Sequence, residues 1–279
     1  MSATHQDGLL ELRMRCDGRR RTVLAERRQR FPLRMTSPMY LDAGDRGMAF
    51  IYVQNPTGGV HAGDRLHTGI VAEAGARVHV TTQSATKISR MDGGEAVQAL
   101  HVDVGPGAYV EYVPDAIIPQ AGARLVQDTV VTLHDGAMFV AAETLAPGRR
   151  ARGERFAYER IRLRLEARRD GRELCVDTME LEPARRSPEA RGILGPLDYL
   201  VSLVALCPDG DAARLAGALD DGLAARTDVV GAADELPGGA GAVARILAPS
   251  ATAAREQLRD AWRIIRAELL ALPLPATRK

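Results

Sequence analysis

The stretch that decides the fold is V-G-P-G-A-Y-V-E-Y-V-P-D-A-I-I-P-Q-A-G-A-R-L-V-Q-D-T-V-V-T-L-H-D-G-A-M-F-V, Val104 to Val140. Three times a Gly-Ala step stands just before a β-forming run: Gly107-Ala108, Gly122-Ala123 and Gly136-Ala137, 15 and 14 residues apart. A fourth step, Gly75-Ala76, lies 32 residues before the first of these, about twice that spacing. Glycine suits such corners because it accepts positive φ without steric cost. A short quasi-repeat of turn plus strand predicts stacked hairpins or coils in a layered or helical β arrangement. An ordinary β-sandwich with evenly spaced turns is the reading these residues leave open beside it.

Working outward, the chain from about residue 48 to 182 reads as strand after strand. R-V-H-V-T-T-Q sets Val78 and Val80 on one face and His79 on the other. A-L-H-V-D-V sets Leu100, Val102 and Val104 opposite His101 and Asp103, and I-R-L-R-L-E-A sets Ile161, Leu163 and Leu165 opposite arginines. Period-two alternation of this kind predicts half-buried strands. After Pro196 the period changes. D-A-A-R-L-A-G-A-L-D-D-G-L-A-A-R places Ala212, Leu215, Ala216, Leu219 and Leu223 on one helical stripe, with Asp211 as its N-cap. P-G-G-A-G-A-V-A-R-I-L is a glycine-rich turn into a short strand. A last helix begins after Ser250 and turns Ala254, Leu258, Ala261, Ile265 and Leu269 inward. These patterns predict a mainly β protein: a β body over about 1–195, then a section over about 196–279 with two α-helices. No Pro/Ser-rich linker divides them, so 1–279 reads as a single folding unit.

With 279 residues and a formal net charge of +1, the chain offers no global electrostatic case for nucleic acid or an anionic membrane. Three cysteines far apart, without a C-x-x-C pair, fit a reducing compartment and argue against a disulfide framework or a structural zinc site. The N-terminus lacks the apolar run of a signal peptide. The most apolar stretch, P-L-D-Y-L-V-S-L-V-A-L-C-P, is too short for a membrane span and carries Asp198. A soluble cytoplasmic protein is expected.

The chemistry-bearing stretch is N-P-T-G-G-V-H-A-G-D-R-L-H, Asn55 to His67. His61, Asp64 and His67 are spaced by three on either side, a spacing that in an extended loop brings two imidazoles and a carboxylate toward nickel or zinc. Solvated turn residues are the competing reading. Glu111 and Asp115, in V-E-Y-V-P-D, have the makings of a carboxylate hydrolase pair for a glycan or polyol, against the plainer reading of surface acids. A-T-K at Ala85–Lys87 lacks the glycines of a phosphate-binding loop, and no G-x-S-x-G, H-E-x-x-H or G-x-G-x-x-G is present. In P-G-R-R-A-R-G-E-R-F-A-Y-E-R-I-R-L-R, arginines alternate with Glu154, Glu159 and Glu166. Such mixed charge suits a solvated face with cross-strand pairs, or a protein-binding surface.

Five blocks, in order, resemble one family. Asn55-Pro56-Thr57-Gly58-Gly59 with Gly63-Asp64 is similar to the N-P-x-G-G-x-x-x-G-D signature of the urease accessory protein family UreD, called UreH in some organisms. Thr81 to Lys87 with Arg90 resembles its T-T-x-x-A-T-K segment, and Pro114 to Pro119 its P-x-x-x-I-P turn. Gly148 to Glu154 with Phe156 resembles its G-R-x-A-x-G-E-x-F block, and Ala261-Trp262-Arg263 through Arg266 and Leu269-Leu270 its last helix. Gln120 stands where the family usually has an aromatic, and P-L-P-A-T-R-K replaces its arginine-tryptophan ending.

The resemblance implies a fold of helically arranged two-layer β-sheets with two helices, and a role that is not enzymatic. It implies partners: UreF, the GTPase UreG and the apo-urease subunits, with no nucleic acid and no membrane. It implies no tightly bound cofactor, and nickel(II) as a transient passenger toward urease. A route that must release its cation is lined by carboxylates, carbonyls and water rather than by a thiolate cage. On that chemistry Asp64 is the first candidate for a route-lining acid, followed by Glu111, Asp115 and Glu143, with His61 and His67 behind them.

Overall fold

A computed structural model of the protein describes residues 5–208 and 210–276. In chain order its elements are β1 (Asp7–Cys16), β2 (Thr22–Arg30), β3 (Arg34–Met35), β4 (Ala49–Gln54), β5 (Arg65–Ala72), β6 (Arg77–Thr82), β7 (Thr86–Ile88), β8 (Ala96–Val104), β9 (Tyr109–Tyr112), β10 (Ile117–Pro119), β11 (Arg124–Leu133), β12 (Met138–Leu145), β13 (Arg160–Arg169), β14 (Arg172–Leu181), β15 (Tyr199–Leu206), α1 (Ala212–Ala224), β16 (Val230–Glu235), β17 (Gly241–Ala248) and α2 (Ala251–Leu270).

From β4 to β13 the chain winds as coils, giving one strand to each of two stacked sheets per turn. One sheet has seven strands in the order β14-β13-β11-β8-β5-β1-β2, parallel from β1 through β13 and closed at both edges by antiparallel hairpins. The ten-stranded sheet runs β16-β17-β15-β12-β9-β6-β4-β3, with β7 and β10 forming a short side ladder to β12. Its centre, β4-β6-β9-β12, is parallel as well.

The Gly-Ala steps are the corners of these coils. Gly75, Gly107 and Gly136 all lie where the chain leaves the seven-stranded sheet for the other, and Gly122 lies at the opposite corner. The 14–15-residue repeat is therefore half a coil. Successive corners stack: Gly75 N–H donates to the Pro106 carbonyl and Gly107 N–H to that of Asp135, both at 2.9 Å. All four glycines have φ between 61° and 73°, the left-handed region where a side chain is strained. Gly63, in the Asn55–His67 stretch, belongs to the same corner set as Gly122: its φ is 79° and its N–H donates to the Glu95 carbonyl of the next coil.

Inward residues of the two sheets, among them Leu10, Ile70, Val102, Leu125, Val80 and Phe139, form one core. A second core lies on the far side of the ten-stranded sheet, where α1 and α2 press Leu215, Leu219, Trp262 and Ile265 onto Phe50, Tyr109, Leu203 and Ile246. This second layer corrects one expectation. β6 is not half-buried: Val78 and Val80 fill the inter-sheet core, while His79, 4% exposed, is covered by α2. The section after 196 has the two expected helices and the expected strand, β17, and adds β15 and β16, so that all three strands extend the ten-stranded sheet antiparallel from β12. Ser250 caps α2 by accepting the Ala253 N–H at 3.1 Å. Asp211 stands at the N-cap of α1 but makes no side-chain cap bond; its carboxylate takes Arg214 instead, at 2.8 Å.

Candidate functional site

Between the two sheets, at one end of the coils, the apolar core gives way to a polar cavity of about 170 Å³. Thr68 of β5, Gln98 of β8 and Gln127 of β11 line it from one sheet, and Thr82 of β6, Tyr112 of β9 and Glu143 of β12 from the other. Loops add Asn55, Gly58 to Val60, Gln83 to Ala85, and Pro114 with Asp115; β7 adds Thr86 and Lys87, and apolar side chains such as Leu33, Leu66 and Ile117 complete the wall. Three blocks far apart in sequence thus meet around one cavity because the coil pitch stacks them.

The loops are stiffened locally. Asn55 Oδ1 accepts the Thr57 N–H at 3.1 Å and the Thr57 hydroxyl at 2.6 Å, while Asn55 Nδ2 donates to the Gly59 carbonyl at 3.2 Å. A Cβ on Gly59 would sit 3.0 Å from the Lys87 carbonyl, so glycine lets this turn close onto β7, where Val60 N–H donates to that same carbonyl. The Asp115 N–H donates to Thr82 Oγ1 at 2.9 Å.

Glu143 is the charged group of the interior wall. Burial, reinforced by the charge of Asp177 and opposed by Arg245 and by a hydrogen bond from Gln127 Nε2, pushes its carboxyl up to about 7. Burial and then Glu143 push the Tyr112 hydroxyl well above its usual range. A carboxyl held near neutrality in a polar cavity can exchange a proton for a cation.

The structure separates the sequence candidates. Asp115 and Glu143 share the cavity. Asp64 does not line it: it is fully buried at the coil corner, and its two oxygens accept the Gln6 N–H at 2.8 Å and the His61 N–H at 2.9 Å. It pins the N-terminal strand to the first coil. Asp64→Asn turns one of those acceptors into a donor facing an N–H, and is expected to destabilise the fold by about 1–3 kcal/mol in a urea titration. His61 is exposed at the turn. His67 lies on the outer face of β5, its ring edge-on to His101 at 4.9 Å. Burial first, then His101, lower its pKa against the pull of Glu11. Among the described residues no three or more His, Cys, Asp or Glu side chains stand together ready to hold a metal ion.

Glu111 corrects the surface-acid reading, because its side chain is wholly buried on the helix side of the ten-stranded sheet. Arg266 Nη1 donates to Oε1 at 2.8 Å, the Tyr109 hydroxyl to Oε1 at 2.6 Å, and His79 Nδ1 lies 2.8 Å from Oε2. Burial raises the Glu111 carboxyl, but His79, Arg266 and Tyr109 together outweigh it and hold it below its ordinary value. Arg266, itself 0% exposed, also binds Asp42 and donates from Nε to the Pro273 carbonyl at 2.9 Å. His79 is sandwiched between Phe50 and Trp262, with ring centroids 4.8 and 5.0 Å away. Sequence reading missed this cluster; a lone arginine on the apolar stripe of the last helix was its only local signal.

Two stacked, coiled β-sheets with a cavity between them, framed by turn-forming loops and backed by two helices, define a coiled two-layer β protein. Comparison with known sequences sharpens that class. Residues 6–279 match the model of the UreD urease accessory protein family. The chain is 39% identical to "Urease accessory protein UreD 2" of Streptomyces griseus, across 98% of this chain and 93% of that protein. It is 34% identical to a "Urease accessory protein UreD" of Natronomonas pharaonis (98% and 91% covered) and 35% to one of Mycolicibacterium gilvum (96% of each). The chain belongs to the UreD urease accessory protein family, and its role lies with the urease machinery. None of its described helices is long and apolar enough to cross a membrane.

Proposed function

We propose that the chain is a non-enzymatic maturation scaffold that binds apo-urease together with UreF and the GTPase UreG in the cytoplasm, and that it passes nickel(II) toward the urease active site through the cavity between its sheets. The observation that carries this reading is that three of the family's sequence blocks, separated by tens of residues, converge on the rim of one polar cavity. Two carboxylates, Asp115 and Glu143, with amide and hydroxyl side chains make a wall that holds a hydrated divalent cation loosely enough to release it. The hydrolase reading finds no support in the same geometry: Asp115 faces the cavity, whereas Glu111 lies beyond the sheet, bound to Arg266.

Co-expression of UreF, UreG and the urease subunits with and without this chain, followed by nickel quantification per urease active site, tests the proposal. Loading is expected to require the chain, and the chain to co-purify with UreF or urease; equal loading without it would overturn the reading. Glu143→Gln is expected to cut loading at least tenfold while the protein stays folded. Its stability carries a separate signature. The folded-state pKa of about 7 exceeds the ordinary 4.5, so the folded protein keeps a proton the unfolded chain has lost. That contribution is fully present below about 4.5 and vanishes as pH rises past about 7. Denaturation midpoints should therefore fall with rising pH across this window in the wild type, and less in Glu143→Gln.

A further inference from the structure

The edge of the seven-stranded sheet at β2 concentrates positive charge. Residues 13–34, from the latter half of β1 to the start of β3, hold nine arginines against two acids, Asp17 and Glu26. That is a formal +7 in a chain whose net charge is +1, so the remaining residues together sum to −6. Some of these arginines are occupied: Arg13 reaches Glu26 and Glu73, Arg28 reaches Glu11, and Arg21 lies over the Tyr40 ring. Arg15, Arg20, Arg27 and Arg34 are exposed and join no ion pair among the described residues. The backbone of this edge is open as well. Thr22 is tied down, its N–H donating to the Gly47 carbonyl at 2.8 Å. From Val23 to Arg30 the ladder partner is β1, and among the described residues no hydrogen bond reaches the backbone on the side away from it. The register shifts at Arg13/Met14, leaving Ala25 as the extra residue of a bulge, and Glu26 to Arg30 pair without interruption beyond it.

We propose that the β2 edge, from Glu26 to Arg30, is a docking surface for an acidic protein segment that pairs with it as an added strand. An open edge invites pairing, and charged side chains are the usual means of discouraging it. Charge of one sign discourages selectively. It repels basic strands and leaves apolar ones to bury unpaired charge, but it attracts an acidic one. Strand geometry assigns the roles. Arg28 and Arg30 share the outer face of the sheet with Glu26, and Arg27, paired with Leu12, turns to the other face, because neighbours on a strand alternate. Acids along an incoming strand thus meet Arg28 and Arg30 on one side and Arg27 on the other. The backbone groups supply affinity and the arginines the choice of partner. Nucleic acid is the rival polyanion, but it has no peptide groups to complete a ladder, and Glu11 and Glu26 stand among the arginines to repel a continuous row of phosphates.

Fluorescence anisotropy with a labelled peptide of Glu-Glu-Thr repeats, long enough to span β2, tests the proposal on the whole chain. The peptide is expected to bind, and to weaken about tenfold between about 50 and 300 mM salt. Arg27→Glu and Arg30→Glu combined should weaken it by at least another factor of about ten, while Arg259→Glu, at an exposed position of α2, should leave it unchanged. The same peptide methylated on every backbone nitrogen keeps its charges but has no N–H to give, and should not bind. Hydrogen exchange read by mass spectrometry should show new protection within 22–30 when the unmethylated peptide is bound. No binding by the wild type, equal binding of the methylated peptide, an equal loss in Arg259→Glu, or protection only outside β2 would overturn the surface. Duplex DNA that displaces the peptide and binds as tightly would assign the edge to nucleic acid and overturn it too. The methylated peptide and the exchange pattern need no variant, so they decide the matter even if the double substitution impairs folding. No urease component enters these measurements, so failure of this surface and failure of the scaffold reading give different results.

Discussion

Arg266→Met is expected to destabilise the protein by about 3–5 kcal/mol and to loosen α2 from the sheet, because it strands two buried carboxylates without their cation. Arg266 is the largest fully buried side chain, and it binds Asp42, 2% exposed, and Glu111, 0% exposed, at once. A fully buried arginine is tolerated only when paired, and here the pairing joins three distant segments: the loop before β4, strand β9 and helix α2. The fork matters as well as the charge. Nη1 serves Glu111, Nη2 serves Asp42 and Nε serves the Pro273 carbonyl, so Arg266→Lys should recover only part of the loss. Equilibrium denaturation in urea measures the effect, and near-ultraviolet circular dichroism follows Trp262, which stacks on His79 within the same cluster. A loss below about 1 kcal/mol would show that the two carboxylates are compensated without the guanidinium.

Gly148→Ala is expected to cost on the order of 3 kcal/mol, more than the strain of an unusual φ alone. At φ 127° its Cα faces the chain it must turn around: an added Cβ would drive into the Glu154 carbonyl and sit 3.2 Å from that of Pro119. What it would displace is a dense ionic loop. Arg149 grips Glu154 with both arms of its guanidinium, Nε at 2.7 Å, and Glu154 Oε2 accepts the Ala121 N–H at 3.1 Å. Beside it Arg150 and Arg155 converge on the buried carboxylate of Asp198, Arg155 Nε at 2.6 Å. Arg149 to Arg155 of the arginine-rich block thus form a clasp that ties the end of β10 to the start of β15, while Arg160 and Arg162 on β13 make the expected cross-strand pairs with Glu180 and Asp128. Gly153→Ala is the control, since φ there is 74° but nothing lies within 4 Å of the added carbon; it should cost only about 1 kcal/mol. Equal shifts in the denaturation midpoints of the two variants would show that φ, and not the close approach, sets the cost.

The layered β fold was legible because its signals are local. Alternation along β8, β11 and β13 and a glycine with left-handed φ at each corner act within a few residues of themselves. The family blocks were legible as short motifs, but only Asn55 answers to its own turn; Gly59 makes room for the Lys87 carbonyl, and Gly148 for those of Glu154 and Pro119. The candidate acids were another matter. Asp64, Glu111, Asp115 and Glu143 look alike in the sequence, yet one pins a corner, one neutralises a buried arginine and two face a cavity.

What separates them is which face of which sheet each occupies and what covers that face. Glu111 and Tyr112 are neighbours in β9, and a strand sends neighbours to opposite sides: Tyr112 to the cavity, Glu111 beneath α2. The amino-acid sequence by itself determined the mainly β class and the stripes of the two helices, through periodicity and turn chemistry, and pointed to the family through five motif blocks, while its turn spacing left a coiled arrangement and a β-sandwich both open. Only the tertiary structure decided that α2 lies over β6 and β9, so that Arg266 finds a carboxylate 155 residues away, and that the pairing of β5 with β8 brings His67 to His101 of the next coil. Burial and charge pairing are properties of the packed layers, and a stretch of chain carries no record of the surface that will cover it.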